Sequence, residues 1–184
     1  IKLRLKLIVN IAAAIHSIHS LNKYVFVDMK PENILVTEDA KVSIIDLDSL
    51  QIAENKNVQF YAHVATPEYS PPEALNPKNN YIPIDWDRFS LGIIFYKLLF
   101  GIHPFTATFK GCYEKITVPI DKRLQYLFIL AFDNGLHYPK LRPSAEMWGR
   151  TIFDILDNKP KVTSFLNNTT ETMLKNRIQN IKGL

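Results

Sequence analysis

Apolar residues recur at helical spacing from the front of the chain. Leu5, Ile8, Ala12, Ile15 and His19 share one face, with Ile11 and Ile18 beside them, which predicts an amphipathic helix. The basic start Lys2-Leu3-Arg4-Leu5-Lys6, followed by Leu7 to Ile15, imitates a targeting signal, but Asn10 and His16 interrupt the apolar run. Tyr24 to Val27 reads as a short extended stretch, and Asp28 to Glu32, which contains Pro31, as a loop. Residues 33–36 and 41–45 read as two short strands joined by Thr37-Glu38-Asp39-Ala40, a hairpin-length connection. From Asp46 to about Pro72 the pattern turns polar and irregular, longer than an ordinary connection, and loops of that length are usually functional or disordered. Phe89 to Phe100 is apolar nearly all round, which predicts a central buried helix ended by Gly101 and Pro104. Leu124 to Phe132 predicts another helix, stopped at Asp133-Asn134-Gly135. Ser144 predicts the N-cap of a last core helix carrying Met147, Trp148, Ile152, Phe153, Ile155 and Leu156. Beyond Asn158 the chain is polar, with at most one weak helix over Thr170 to Ile181.

Composition narrows the picture. The 184 residues are 47% apolar and 22% charged, which excludes disorder, collagen and coiled coil as descriptions of the whole. A net charge of +4 is too weak to argue for nucleic acid, and the basic residues Lys159, Lys161, Lys175, Arg177 and Lys182 read as a solvated face with only Phe165 interleaved. No run is long and apolar enough for a membrane span. One cysteine, Cys112, makes no intrachain disulfide and no cysteine-based zinc site, so the expected compartment is reducing and cytoplasmic. His16 and His19 have no evident third ligand and read as packing or surface residues. Trp86 and Trp148 read as core or rim.

The chemistry concentrates in Phe26-Val27-Asp28-Met29-Lys30-Pro31-Glu32-Asn33, followed by Asp46-Leu47-Asp48 at the end of the hairpin. A carboxylate, a lysine two residues on and an asparagine five residues on share one loop, and a second carboxylate closes the next hairpin. Phosphoryl transfer needs such a set. One carboxylate orients the attacking hydroxyl, a lysine neutralises the moving phosphoryl group, and an amide oxygen with a carboxylate holds Mg²⁺ against the ATP phosphates.

These residues resemble the C-terminal lobe of eukaryotic-like Ser/Thr protein kinases. Asp28-Met29-Lys30-Pro31-Glu32-Asn33 is similar to the catalytic loop, and Asp46 stands at the first position of the D-F-G motif. Thr66-Pro67-Glu68-Tyr69-Ser70-Pro71-Pro72-Glu73 resembles the segment ending in A-P-E. Asp87-Arg88-Phe89-Ser90-Leu91-Gly92 is similar to the start of the buried central helix, and Arg142-Pro143-Ser144 to a late R-P-S element. The resemblance implies Asp28 as catalytic base, with Lys30 on the transferring phosphate. It implies Asn33 and Asp46 as Mg²⁺ ligands and Thr66 under the substrate peptide, touching the catalytic loop. It also implies that Arg142 pairs with Glu73 and that Asp87 is structural. Glu32 either reads a basic substrate residue or is an exposed loop acid.

The departures are equally specific. Phe26 and Val27 replace the usual His-Arg, which leaves no arginine there to clamp a phosphorylated activation segment. Asp48 replaces glycine and either tolerates the position or adds a carboxylate near the metal. The Asp-x-Asp pattern after Ile45 is also similar to bacterial kinase-like proteins. No Gly-rich loop, V-A-I-K lysine or P-loop occurs in the sequence. The expectation is therefore a mainly α fold with small β-hairpins, a kinase-like C-lobe over residues 1–157 with a polar tail or linker over 158–184. The N-terminal lobe, expected before Ile1, is the missing partner. The expected function is ATP- and Mg²⁺-dependent phosphorylation of a protein substrate, inactive in this fragment, with no nucleic acid or membrane partner. A pseudokinase scaffold and a small-molecule kinase are the alternatives.

Overall fold

The computed structural model describes residues 2–62, 65–75, 80–105 and 120–157. The readings of Cys112, of the basic tail residues, of the helix over Thr170 to Ile181 and of the linker from 158 fall outside these residues. Helix α1 (Lys2–His19) buries Leu5, Ile8, Ile11, Ala12, Ile15 and His19, the face that the apolar spacing outlines. Helix α2 (Asp85–Phe100) runs through the core, with every residue from Trp86 to Tyr96 buried except Arg88. It begins ahead of its apolar run because Asp85 and Asp87 occupy its first turn, where carboxylates favour the helix dipole. It closes on Gly101, whose φ of 77° is the left-handed shape that glycine adopts without strain, and whose N–H donates to the Lys97 carbonyl at 2.8 Å.

Helix α3 (Lys122–Phe128) runs on without a break into a π-helical stretch (Ile129–Asn134) and a last turn, α4 (Gly135–His137). The stop expected at Asp133-Asn134-Gly135 does not occur. Gly135 keeps helical angles, and a Cβ there would lie 2.7 Å from both the Leu130 carbonyl oxygen and Arg142 Cγ. Glycine stands at this point for close packing. Helix α5 (Ala145–Leu156) starts where its cap predicts: the Ser144 hydroxyl accepts from the Met147 N–H at 3.2 Å. It packs along α1 and drives the fully buried Trp148 between Phe95 and Phe128, at ring-centroid distances of 5.4 and 4.9 Å.

Strands β1 (Tyr24–Val25), β4 (Gln51–Glu54) and β5 (Asn57–Phe60) form an antiparallel sheet in the order β1-β4-β5. Strands β2 (Ile34–Val36) and β3 (Val42–Ile44) form a separate hairpin. The fold class expected from sequence is corrected here: the described residues hold a β-sheet region as well as a helical region. β4 and β5 lie inside the stretch that reads as irregular. β4 pairs with distant β1, Tyr24 facing Ile52 and Val25 facing Gln51, so local pattern does not reveal it. Its turn to β5 is Asn55-Lys56, both left-handed (φ 49° and 66°), a two-residue hairpin without the usual Gly signal.

Candidate active site

The loop after β1 presents Asp28, and its shape is set from below. Val27 has φ 64°, a left-handed conformation that costs a β-branched residue on the order of 1–2 kcal/mol. Asp87, fully buried in the first turn of α2, holds that shape. Its Oδ2 accepts from the Phe26 N–H at 2.8 Å and its Oδ1 from the Val27 N–H at 2.9 Å. His19, at the end of α1, places Nε2 2.9 Å from the same Oδ2. A carboxylate carrying three such partners fixes the peptide bonds immediately before Asp28.

Asp28 is 5% exposed and sits in a closed ring of polar contacts. Its Oδ2 accepts from Lys30 Nζ at 2.6 Å, and its Oδ1 from the Thr66 N–H at 2.7 Å. Lys30 Nζ also donates to Thr66 Oγ1 at 3.0 Å, so one ammonium joins the Asp28 loop to the segment 66–73. Burial pushes the Asp28 carboxyl upward, but the hydrogen bonds from Lys30 and Thr66 outweigh it and hold the group below the ordinary carboxylate range. The hydrogen bond to Asp28 raises Lys30 against the opposing effect of burial, and the fields of Asp28, Asp46 and Glu32 add to it. Two oxygens with about four acceptor directions retain room for one further donor, such as a hydroxyl.

Asn33 is buried and donates from Nδ2 to the Asp28 carbonyl at 3.0 Å, which leaves its Oδ1 as a ligand atom. Its own carbonyl accepts from the Ile45 N–H at 3.0 Å, and this bond ties the loop to the residue before Asp46. Asp46 is exposed and left-handed (φ 58°, ψ 64°). Glu32 and Asp48 are exposed in the one-turn helices Pro31–Asn33 and Leu47–Ser49. Among the described residues no hydrogen bond or ion pair joins either of them to the Asp28 ring, and no cluster of three or more His, Cys, Asp or Glu is spaced to hold a metal.

The segment 66–73 is anchored along its length. The Tyr69 carbonyl accepts from Ser90 Oγ at 2.8 Å, and the Glu68 carbonyl lies 2.9 Å from His103 Nε2. At its end Glu73 meets Arg142 across 69 positions: NH1 to Oε1 is 2.6 Å and NH2 to Oε2 is 2.9 Å, a bidentate pair. Arg142 is 1% exposed. It spends its other donors on the Gly135 carbonyl (Nε, 3.0 Å) and the Asp85 carbonyl (NH1, 2.9 Å), with its guanidinium carbon 5.0 Å from the centroid of the Phe89 ring. The structure thus brings Asp28, Lys30, Asn33 and Thr66 into one group and Glu73 and Arg142 into another, with Asp87 beneath the first.

Two residues in this framework escape sequence reading. His19 reads as packing or surface, yet it reaches Asp87; the available signal was a polar side chain on the apolar face of α1. Gln51 lies in the stretch read as irregular, and its contacts depend on a segment more than thirty positions away.

A protein kinase domain model matches residues 2–180, and the chain belongs to that family. Among curated proteins it is 42% identical over 100 residues to the serine/threonine-protein kinase MRCK gamma of Mus musculus, an alignment covering 51% of this chain and 6% of that protein. It is 36% identical over 97 residues to the citron Rho-interacting kinase of Homo sapiens, covering 50% and 5%. It is 35% identical over 107 residues to the cAMP-dependent protein kinase catalytic subunit 3 of Drosophila melanogaster, covering 58% and 17%. The alignments therefore span a small fraction of each relative.

The match over nearly the whole chain corrects three expectations. The chain is a kinase-family domain across residues 2–180, with a β-sheet region and a helical region, where an isolated C-lobe was expected. The description of its function as that of an inactive half-domain falls with that reading, and so does the missing N-terminal lobe as a partner. The physical source of the error is β4–β5: a strand pairing that depends on β1 takes residues 51–60 of the supposed loop out of the irregular category. Among the described residues no helix is long and apolar enough to cross a membrane.

Proposed function

We propose that this domain transfers the γ-phosphoryl group of ATP to a serine or threonine hydroxyl of a protein substrate. The observation that carries the reading is the buried Asp28 carboxylate, ringed by Lys30 and Thr66 and backed by Asp87. Asp28 receives the hydroxyl hydrogen bond and takes the proton as the new O–P bond forms and the bond to the departing ADP breaks. Lys30 stands 2.6 Å from Asp28 with its positive charge toward the same point, so it stabilises negative charge moving through that point. Bound Mg²⁺ supplies charge neutralisation of the phosphates. Asn33 Oδ1 and the Asp46 carboxylate suit it, because Mg²⁺ takes one or two protein oxygens and completes its shell with phosphate and water. Leu35 and Ile45, 54% and 38% exposed, flank these two ligands on the β2–β3 hairpin and offer an apolar wall for the base. Thr66, tied to Asp28 and Lys30, sets the height of the peptide over the loop. A protein acceptor, and serine or threonine within it, is supported by the kinases the chain matches and by the Glu73–Arg142 anchor under the segment.

The test is phosphate transfer from ATP to a generic Ser/Thr acceptor protein by the full protein, with and without Asp28→Asn. The expected result is a loss of about 10²–10⁴-fold in turnover, the scale of a general base, with the circular dichroism spectrum unchanged. Equal turnover in the two proteins would remove Asp28 from the reaction.

A further inference from the structure

Gln51 is the one fully buried amide side chain among the described residues, and the phosphoryl-transfer chemistry makes no use of it. Its Nε2 donates to the Ile82 carbonyl at 2.8 Å, and its Oε1 accepts from the Ile82 N–H at 2.7 Å. The side chain thus copies the hydrogen bonding of a neighbouring strand and ties β4 to the segment 80–84 that leads into α2. Its backbone faces Val25 across the β1–β4 pair, two residues before the strained Val27. Val25, Val27 and Trp86 form a small buried cluster with Ile82, Ile84, Ala62, Ala65 and Ala74 packed against it. That cluster lies below the catalytic loop on one side and the Thr66 segment on the other. The cluster therefore links the Gln51–Ile82 pair to the Val27 backbone before Asp28 and, through Ala65, to the residue before Thr66. The chain of connections runs from Gln51 to Ile82, to Trp86 and Asp87, and through the Phe26 and Val27 amides to Asp28.

We propose that Gln51 is a positioning residue: its buried amide pins segment 80–84 to β4 and thereby sets the catalytic loop and the substrate segment at working distance. Because the pin is a neutral amide, it holds without a phosphate group on the segment and without the arginine that Val27 replaces. The catalytic consequence rests on the phosphoryl-transfer reading above, whereas the pinning itself does not. Strands β2 and β3 belong to a separate sheet; Asn33, just before β2, meets this chain only at its end, through the Asp28 carbonyl, and Asp46, just after β3, lies outside it.

Gln51→Met in the full protein keeps the volume and removes both hydrogen bonds. Hydrogen exchange reads the pin directly. The amides of Ile82, Phe26, Val27 and Thr66 are expected to exchange about ten-fold faster, the scale of one lost buried hydrogen bond, while Trp148 in α5 stays within about two-fold. Kinetics read the consequence: the KM for the acceptor protein rises about ten-fold and kcat falls with it, while the KM for ATP stays within about two-fold. A variant that is merely less stable lowers the active fraction, which reduces the apparent kcat and moves neither KM; that result overturns the proposal. Acceleration at Ile82 alone, or uniform acceleration that includes Trp148, overturns it as well. Gln51→Asn, too short to reach Ile82 with both atoms, is expected to behave as Gln51→Met does, and wild-type behaviour would overturn the geometric argument. If the wild-type protein transfers no phosphate, the functional reading fails, and the exchange pattern still decides the pin.

Discussion

The helical body and the loop-built face around Asp28 are held together in opposite ways. In the body, α1, α2, α3 and α5 meet through side chains such as Ile8, Ile11, Phe95, Phe128 and Trp148, all nearly fully buried and all apolar. Stabilisation there is spread over many contacts, and each contact is replaceable by another of similar volume. At the Asp28 face, beside the small apolar cluster of Val25, Val27 and Trp86, the groups that set its shape are buried and polar: Asp28, Asn33, Gln51 and Asp87, with Arg142 at the far end. Each one satisfies backbone or charged partners that have no second choice. The lesson is that the body tolerates small losses by repacking, whereas the face fails one pin at a time. A stranded partner costs more than the area that was buried.

The sharpest way to test this contrast is Asp87→Ala. It strands the Phe26 and Val27 amides and His19 Nε2 together, and it frees the left-handed backbone at Val27. The expected loss is about 3–5 kcal/mol in urea unfolding, comparable to truncating a large core aromatic although far less area is removed. A loss below about 1 kcal/mol, the worth of an ordinary hydrogen bond, would break the comparison.

Arg142→Ala comes next. Glu73 is about one-third exposed (32%) and regains water, so the loss is expected near the lower end, about 3 kcal/mol. Faster hydrogen exchange over residues 66–75 should accompany it, although Arg142 is far from them in sequence. Gly135→Ala tests the same anchor from the packing side. Its new methyl collides with Arg142 Cγ and the Leu130 carbonyl, and thermal unfolding should show a loss of about 1–3 kcal/mol. Ser144→Ala, at the cap of α5 in the body, should cost only about 1 kcal/mol in the same measurement.

The smallest effect is the titration of the Asp28–Lys30 pair. Asp28 is depressed in the fold, so its contribution is present above the ordinary carboxylate value and is lost as pH falls through the lower folded value. Lys30 is raised, so its contribution is present below the ordinary lysine value and is lost as pH rises through the higher folded one. Stability measured against pH should therefore lose a small increment below about pH 4 and another above about pH 10, and Asp28→Asn should flatten both. Persistence of both increments in that variant would assign them to other groups.

How much of this was legible beforehand follows the same division. The buried face of α1, the Ser144 cap and the apolar run of α2 rest on local spacing, and the structure places them where spacing predicts, except that α2 starts four residues earlier, at Asp85. The catalytic loop, Thr66, Glu73 and Arg142 could be named because residue types at those intervals resemble a known family. Their contacts could not be read from intervals: Thr66 reaches Asp28 across 38 positions and Gln51 reaches Ile82 across 31. The π-helical continuation past Asp133 was hidden because its glycine serves a contact with Arg142 rather than a chain stop.

Sequence alone outlined most of the helical segments and the loop residues to examine for chemistry, since periodicity, caps and side-chain functional groups are properties of neighbours along the chain. Tertiary structure decided the rest. It paired β4 with β1, put Asp87 beneath a strained Val27, gave Lys30 to both Asp28 and Thr66, and buried Gln51 against the backbone of Ile82. The physical reason is that a buried polar group must find a partner wherever the fold provides one, and that partner is chosen by proximity in space, which no local pattern encodes.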